Sequence, residues 1–133
     1  HARGYIFSGA LAASQANAAM TALDILREEP ARVQNLWKNV KHYAEGLTSL
    51  GFDIGDTVSP IVPIMTRDIE TTLRMTSFCR QAGVLVAPVG YPAVPMDAPR
   101  LRTCVTAIHS DDDLRLALRV LAAAGRDCGL VTR

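Results

Sequence analysis

Two segments in the first half of the chain are typical of α-helices, one by the three- and four-residue spacing of its apolar residues and one by its composition. The clearest repeat covers residues 31–50 and is stopped by Gly51. Its apolar positions are Val33, Leu36, Trp37, Val40, Tyr43, Ala44, Leu47 and Leu50. Before it, an alanine-rich stretch from Ser14 to about Leu26 favours a helix that ends before Pro30. We therefore predict two consecutive helices, and we expect both aromatic residues of the second to lie in the core.

Two further helices are predicted in the second half of the chain. One runs from Ile69 to Ala82 and is closed by Gly83. Its roughly co-facial positions are Ile69, Leu73, Thr76 or Cys79, and Ala82. The other begins after Ser110, where Asp113 gives an acidic variant of the capping box. Its inward positions are Leu114, Leu118, Leu121 and Ala122, and its predicted end is near Gly125 or Gly129.

Short apolar segments between the helices are typical of strands. They are residues 52–54, 61–65, 84–87 and 100–106. Pro63 indicates that the second of these is an edge strand or carries a bulge. Residues 88–99 hold four prolines and a glycine, which predicts an ordered but irregular loop. Because helices and strands are mixed with short connections, we predict an α+β sandwich, with a small sheet covered by helices.

The strand at 100–106 carries the most informative alternation in the chain. Leu101, Thr103 and Val105 fall on one face, whereas Arg100 and Arg102 share the other face with Cys104. A guanidinium group matches a carboxylate through two parallel hydrogen bonds, so an arginine here is a candidate anchor for a small carboxylate. The alternative is that both arginines lie at a sheet edge and reach solvent or an internal aspartate.

Composition argues against several classes of partner. The chain has 133 residues, a net charge of +1 and no long run of like charges, which argues against nucleic acid and anionic membranes. No apolar stretch approaches the ~20 residues that span a bilayer.

The cysteines, Cys79, Cys104 and Cys128, are odd in number and widely separated, which predicts buried, reduced thiols in a cytoplasmic protein. The chain opens on His1, and we expect it to be part of a longer polypeptide.

Other candidate chemistry is weaker. Ser8 and Gly9 lie between an apolar run and a helix, which suits either an anion such as phosphate or a simple turn with a capping serine. His109 is either a general base or a structural hydrogen-bonding residue. The contiguous acids at 111–113 cannot all point at one ion, so they predict a helix start and no metal site.

Several stretches together resemble a known enzyme family. They are "YIFSGALAASQANAAMTALDIL", "SPIVPIM", "GVLVAPVGYPAVPMDAPRLRTCVTAIHS" and "AAGRDCGLV". In this order they are similar to the C-terminal part of the α-oxoamine synthases, the pyridoxal-phosphate (PLP) enzymes that condense an amino acid with an acyl-CoA and release CO2. The resemblance extends from about Tyr5 to Val131. It implies a fold-type-I PLP enzyme, in which residues 1–29 belong to or pack on the large domain. Residues 30–133 would form the small C-terminal α+β domain, a short, mostly antiparallel sheet with helices packed on it.

The resemblance also implies roles for individual residues. Arg102 matches the arginine that binds the amino-acid carboxylate, and Arg100 is left to the surface or an interface. Ser8 matches the hydroxyl residue that reaches the cofactor phosphate of the neighbouring subunit in a homodimer. Gly9 stands where a second hydroxyl residue is usual, so it offers only its backbone. Ala12 and Ala13 replace the usual proline pair, which leaves the shape of this loop open.

The substrate is left less defined by the resemblance. Serine palmitoyltransferases match best, which favours serine, although a relative that uses glycine or alanine is the alternative. Gly90 stands where some bacterial members carry an arginine. Lys38 and Lys41 match no cofactor-binding motif, so the covalent lysine is expected upstream and these 133 residues alone are expected to be inactive. A non-catalytic, interaction-only subunit of a PLP-fold assembly is the remaining alternative.

Overall fold

The computed structural model describes Gly9 and residues 11–132 of the chain. The elements in order are α1 (Ala13–Glu28), α2 (Ala31–Ser49), β1 (Ile61–Met65), α3 (Ile69–Gln81), β2 (Ala87–Val89), β3 (Arg100–Cys104) and α4 (Asp111–Asp127). The predicted α+β class is confirmed. The described residues form two compact units that divide between Gln34 and Asn35. The domain division at residues 29 and 30 concerns a larger enzyme and stays a prediction.

Helix α1 lies in the first unit and buries none of its residues. Its N-cap residue, Ala12, offers no side-chain hydrogen bond, so the helix depends on the high intrinsic propensity of its alanines and leucines. The exposed apolar side chains of this unit are Leu11, Met20, Leu23, Ile25, Leu26 and Val33. The predicted helix is confirmed, and it extends slightly beyond both predicted ends.

Strand β3 is the centre of a three-stranded antiparallel sheet in the second unit, with the order β1-β3-β2. Its side chains alternate as predicted. Leu101 and Thr103 are buried, whereas Arg102 and Cys104 are exposed on the opposite face and Arg100 is half-buried there. We call this second side of the sheet the open face.

Pro63 is accommodated because β1 is an edge strand. Thr66 N–H donates to the Pro99 carbonyl at 3.1 Å. Val105 N–H donates to the Pro60 carbonyl at 2.9 Å. In an antiparallel pair, every second residue of a strand exchanges hydrogen bonds with its neighbour, and in β1 these are the even-numbered residues. The nitrogen of Pro63 therefore points away from β3, and its missing N–H removes no hydrogen bond from the sheet. The edge-strand interpretation of Pro63 is confirmed.

The core lies between the other face of the sheet and the helices of the second unit. It joins Val40, Tyr43 and Leu47 of α2, Met75 and Cys79 of α3, Leu114 and Leu121 of α4, and the sheet residues Val62, Ile64 and Leu101. The prediction that Tyr43 is a core residue is confirmed. The same prediction for Trp37 is wrong, because its side chain is 47% exposed.

The side of α3 that faces the core is only partly the predicted one, because Thr76 and Cys79 are buried as predicted but Ala82 is exposed. Ile69 and Leu73 are exposed, whereas Thr72 and Thr76 are buried with Met75. Threonine is tolerated there because each buried hydroxyl has a hydrogen-bond partner within the fold. The predicted range of the helix is nevertheless confirmed.

Two strand predictions need correction. Residues 52–54 form no strand, because the backbone bond from Met65 N–H to the Asp53 carbonyl does not continue as a ladder. The strand predicted at 84–87 begins only at Ala87, because Val84 N–H donates to the Cys79 carbonyl and so completes the end of α3. Strand β3 ends two residues before its predicted end.

Helix α4 starts with the predicted capping box. Asp113 N–H donates to Ser110 Oγ at 3.2 Å, and Ser110 N–H donates to Asp113 Oδ2 at 2.8 Å. Leu114 and Leu121 are buried as predicted. None of the helices in the described part of the chain has the length and apolarity to cross a membrane.

Candidate functional site

Arg102 lies at the middle of the open face. Its strand neighbours are Pro63 on β1 and Ala87 on β2. Neither neighbour has a side chain that can hydrogen-bond, so nothing directly beside Arg102 competes for its guanidinium. Among the described residues, the Arg102 side chain makes no hydrogen bond or ion pair, and it is exposed. The arrangement leaves a complete guanidinium fork available to a carboxylate.

Arg100 has different surroundings on the same face. It lies between Met65 and Val89 and is half-buried. Its Nε donates to the carbonyl of Ala98 at 3.1 Å, so one of its donors is committed to the backbone. Of the two arginines, Arg102 is the one with all its donors available.

The proline-rich loop enters β3 directly before these arginines. Because β2 includes Val89, the irregular loop spans residues 90–99 rather than 88–99. Two turns order it, with Ala93 N–H donating to the Gly90 carbonyl and Ala98 N–H donating to the Pro95 carbonyl. The loop is therefore ordered by local bonds, as predicted.

The predicted phosphate-binding residues lie only partly within the described chain. Ser8 lies outside the described residues. Gly9 is exposed, and a Cβ placed on it would meet no atom within 4 Å, so its backbone is accessible. The roles expected of Ser8 and Gly9 at a phosphate therefore stay predictions.

The two lysines lie away from the open face. Lys38 and Lys41 are exposed on α2, and Lys41 Nζ lies 3.8 Å from a carboxylate oxygen of Glu45. No lysine of the described chain is thus placed beside Arg102 on the sheet. Within the same residues, no three His, Cys, Asp or Glu side chains lie together as metal ligands.

His109 is held by hydrogen bonds to the backbone and to Asn39. Its Nδ1 accepts a hydrogen bond from Thr106 N–H at 3.2 Å, and Asn39 Nδ2 donates to the His109 carbonyl at 2.9 Å. It borders a groove of about 330 Å³ that is lined by Tyr43, Leu114 and neighbouring residues but not by Arg102. Burial raises the pKa of Tyr43 to about 12, so this phenol stays protonated near neutral pH.

The cysteines differ in their surroundings. All three are free thiols, as predicted, but only Cys79 is fully buried. Burial raises the pKa of Cys79 to about 11, which keeps its thiol protonated and unreactive near neutral pH. The expectation that Cys104 is buried is wrong, because its side chain lies on the open face beside Ile61.

Comparison with known proteins shows the same family over nearly the whole chain. The sequence profile of the aminotransferase class I and II family matches residues 1–121. An 8-amino-7-oxononanoate synthase of Symbiobacterium thermophilum is 36% identical over 97% of this chain and 33% of its own length. A serine palmitoyltransferase of Sphingobacterium spiritivorum is 37% identical over 86% of this chain and 29% of its own length.

A solved structure gives the same result. The serine palmitoyltransferase of S. paucimobilis with a bound PLP–myriocin aldimine has a TM-score of 0.90 and 30% identity. The match covers 97% of this chain and 33% of that one. The chain thus spans about a third of the length of the relatives that it matches, and the matching region is their C-terminal third. The chain therefore belongs to the aminotransferase class I and II family, and its relatives place it among the α-oxoamine synthases.

Proposed function

We propose that the full-length polypeptide is a PLP-dependent acyltransferase that condenses an amino acid with an acyl-CoA thioester and releases CO2. L-Serine is the favoured amino acid, and Arg102 binds its carboxylate. The observation that carries the proposal is the position of Arg102, which lies on the central strand with an unpaired fork between two side chains that cannot hydrogen-bond. The membership of the α-oxoamine synthases supports the reaction class.

The chemistry expected of Arg102 follows from its geometry. Two parallel N–H···O bonds fix both the position and the plane of a bound carboxylate. With the carboxylate fixed, the amino acid loses its free rotation about the N–Cα bond, and one bond at Cα is aligned for cleavage. Orientation of this kind can lower a barrier by several kcal/mol. Arg102 is thus proposed as the residue that selects which bond at Cα reacts.

The described residues fit one end of a PLP site. When bound, PLP supplies an electron sink for the bonds at the amino acid's Cα. Gly9 has an accessible backbone that suits a phosphate oxygen, and Ser8 is proposed to contribute its hydroxyl. Neither Lys38 nor Lys41 is placed for the covalent link, which we assign to a lysine outside the 133 residues.

The proposal extends to the organisation of the enzyme. It is a cytoplasmic homodimer in which Ser8 and Gly9 serve the phosphate site of the neighbouring subunit. Residues 1–29 belong to or pack on the large domain, and residues 30–133 form the small domain. The exposed apolar residues of α1 support this assignment, because a helix that buries none of them in its own unit has a surface suited to further polypeptide.

A second candidate uses L-alanine or glycine in place of serine. The curated relatives at 31–36% identity that are named 8-amino-7-oxononanoate synthase favour it. Release of labelled CO2 from carboxyl-labelled serine, alanine and glycine, measured with a series of acyl-CoA thioesters, distinguishes the candidates. Turnover of serine with palmitoyl-CoA supports the first candidate, whereas turnover of alanine or glycine alone supports the second.

Substitution of Arg102 tests the proposal directly. In the full-length protein, Arg102→Lys keeps the charge but removes the fork. We expect the dissociation constant of the amino acid to rise about 10- to 150-fold, the equivalent of losing one charge-assisted hydrogen bond of about 1.5–3 kcal/mol. Titration of L-serine, L-alanine and glycine against the absorbance of bound PLP measures this constant.

Arg100→Lys is the matched control, because it makes the same change two residues away on the same face. We expect it to alter the amino-acid dissociation constant by no more than about twofold. An unchanged amino-acid affinity in Arg102→Lys would contradict the assignment of Arg102. A full-length protein with no PLP absorbance and no lysine trapped by borohydride would instead support the non-catalytic alternative.

A further inference from the structure

The carbonyl of Pro99, directly before β3, lies within hydrogen-bond distance of two donors from one residue. Thr66 N–H is 3.1 Å away and Thr66 Oγ1 is 2.9 Å away. In a bonded antiparallel pair, each residue normally donates its own N–H to the other. Proline has no N–H to donate. Pro99 can therefore only accept in this pair. The Thr66 hydroxyl gives the two residues a second hydrogen bond, to the same Pro99 carbonyl.

Thr72 of α3 extends this contact into the helix. Its Oγ1 lies 2.6 Å from Thr66 Oγ1 and 2.9 Å from the carbonyl of Asp68. The two hydroxyls make three contacts, with each other, with the Pro99 carbonyl and with the Asp68 carbonyl. Each hydroxyl has one proton, so only two of these contacts are hydrogen bonds at a time. When Thr72 donates to Thr66, the proton of Thr66 is directed to Pro99. The two threonines thus form a relay that joins the first turn of α3 to the start of β3.

This relay is buried. Thr66 is 8% exposed, and both Thr72 and Pro99 are less than 2% exposed. A buried hydroxyl or carbonyl that loses its partner has no water to replace it, so these bonds are costly to break. The contact between Thr66, Thr72 and Pro99 is therefore a fixed joint between β1, α3 and β3.

The first turn of α3 also approaches the other end of the proline-rich loop. A Cβ placed on Gly90 would lie 2.7 Å from Cδ1 of Ile69, the first residue of α3. The Gly90 end of the loop at residues 90–99 therefore lies against the first turn of α3, and the Pro99 end is joined to the same turn through Thr66. The joint at Pro99 lies one residue before Arg100 and three before Arg102.

We propose that Thr66 and Thr72 are positioning residues, which set the orientation of Arg102 toward a bound amino acid by fixing Pro99. The inference rests on the proposed function of Arg102. If the Thr66–Pro99 joint loosens, the entrance of β3 frays, and the guanidinium samples orientations in which only one of its two bonds to a carboxylate can form. Amino-acid affinity then falls without any change in a group that touches the amino acid.

The test compares threonine variants in the full-length protein. Thr66→Val and Thr72→Val remove a hydroxyl with little change of volume, and Thr66→Ser keeps the hydroxyl. We expect Thr66→Val to weaken binding of L-serine or L-alanine about fivefold, on the scale of one neutral hydrogen bond, while the KM for acyl-CoA stays unchanged. We expect Thr66→Ser to bind the amino acid as tightly as the parent protein does. Thr72→Val should weaken amino-acid binding less than Thr66→Val does.

Thr76→Val is the matched control. Thr76 is buried on the same helix, but its hydroxyl donates only to the Thr72 carbonyl, within α3. We expect Thr76→Val to lower the melting temperature as much as Thr66→Val does and to leave amino-acid affinity unchanged.

Equal effects of Thr66→Val and Thr76→Val on amino-acid affinity would overturn the inference, and so would an unchanged affinity in Thr66→Val. Arg102→Lys separates the two proposals. If Arg102→Lys weakens binding and Thr66→Val does not, only the positioning role fails. If Arg102→Lys has no effect, the proposed function fails.

Discussion

The two faces of the sheet are built from the same three strands and have opposite properties. On the covered face, Val62, Ile64 and Leu101 are completely buried against the helices. On the open face, Arg102 and Cys104 are exposed. Successive residues of one strand thus belong either to the core or to the candidate site.

The covered face stabilises the sheet, whereas the open face carries the side chains that a ligand can contact. The covered face fixes the register, because a slip of one residue would exchange Leu101 with Arg102 and bury an unpaired charge. The open face contributes little burial, so its side chains are free to be selected for chemistry. We therefore expect substitutions on the two faces to act on different measurements.

The largest expected effect is on the covered face. Leu101→Ala removes a fully buried side chain and should lower the free energy of unfolding by about 2–5 kcal/mol. Arg102→Ala, one residue away on the open face, should change it by no more than about 0.5 kcal/mol, although it abolishes most of the amino-acid affinity. Chemical denaturation and amino-acid titration of both variants check the contrast. Comparable destabilisation by the two substitutions would contradict the division between faces.

A pair of glycines sharpens the contrast at intermediate size. A Cβ at Gly125 would lie 2.7 Å from Phe52 Cζ and 2.8 Å from Val131 Cγ2, and both side chains are buried. A Cβ at Gly90 would also come within 2.7 Å of a side chain, but that side chain is the exposed Ile69, which can move aside. The same clash distance thus has different consequences.

We therefore expect Gly125→Ala to be destabilising and Gly90→Ala to be tolerated. Overpacking costs about 1–3 kcal/mol, and the higher helix propensity of alanine offsets about 1 kcal/mol of it at Gly125. The net loss should be about 1 kcal/mol for Gly125→Ala and close to zero for Gly90→Ala. Thermal unfolding of the two variants measures it, and equal melting temperatures would count against a tightly packed covered side.

The alternation in β3 was predictable from the sequence, because a strand has a strict period of two and each side chain can be assigned to a face. The ranges of the helices followed for a similar reason, from apolar spacing and from end signals such as Ser110 and Gly51. What Arg102 binds did not follow from periodicity. It came from the resemblance to a family, and it remains a proposal.

The face of α3 was only partly predictable from apolar spacing, which indicated Thr76 or Cys79 correctly but Ile69 and Leu73 wrongly. Such spacing ranks Ile69 and Leu73 above Thr72, but burial depends on whether a polar group finds a partner as well as on apolarity. The partners of Thr72 are Thr66 and the Asp68 carbonyl, and the contact with Thr66 forms only in the folded chain. Trp37 was misplaced for a different reason, because it repeats at helical spacing with the core residues of α2 and yet is 47% exposed, and apolar spacing alone does not distinguish the two outcomes.

The smallest expected effect concerns Asp68, the N-cap residue of α3. Thr72 lies in the first turn of this helix. Asp68 accepts a hydrogen bond from Thr71 N–H at 2.7 Å, and this bond lowers the pKa of the exposed Asp68 carboxyl. A carboxyl whose pKa is lower in the folded state adds stability at pH values above its ordinary pKa. That contribution is lost as the pH falls through the folded value. Acid should therefore weaken the attachment of α3 specifically through Asp68.

Asp68→Asn isolates this contribution, because asparagine is an equally good N-cap but does not titrate in this range. Near neutral pH the variant should melt at a slightly lower temperature than the parent protein. As the pH falls from about 4 through the lower folded pKa, the two melting temperatures should converge, because protonation removes the charge from the parent as well. Asp113→Asn in the capping box of α4 is the control, since the pKa of Asp113 is also lowered, by Ser110, and its curve should converge in the same way. Parallel curves for Asp68→Asn and the parent protein down to about pH 3 would show that the Asp68 charge adds nothing to the cap, and that α3 is held on the covered side by the neutral contacts of Met75, Cys79 and the threonines alone.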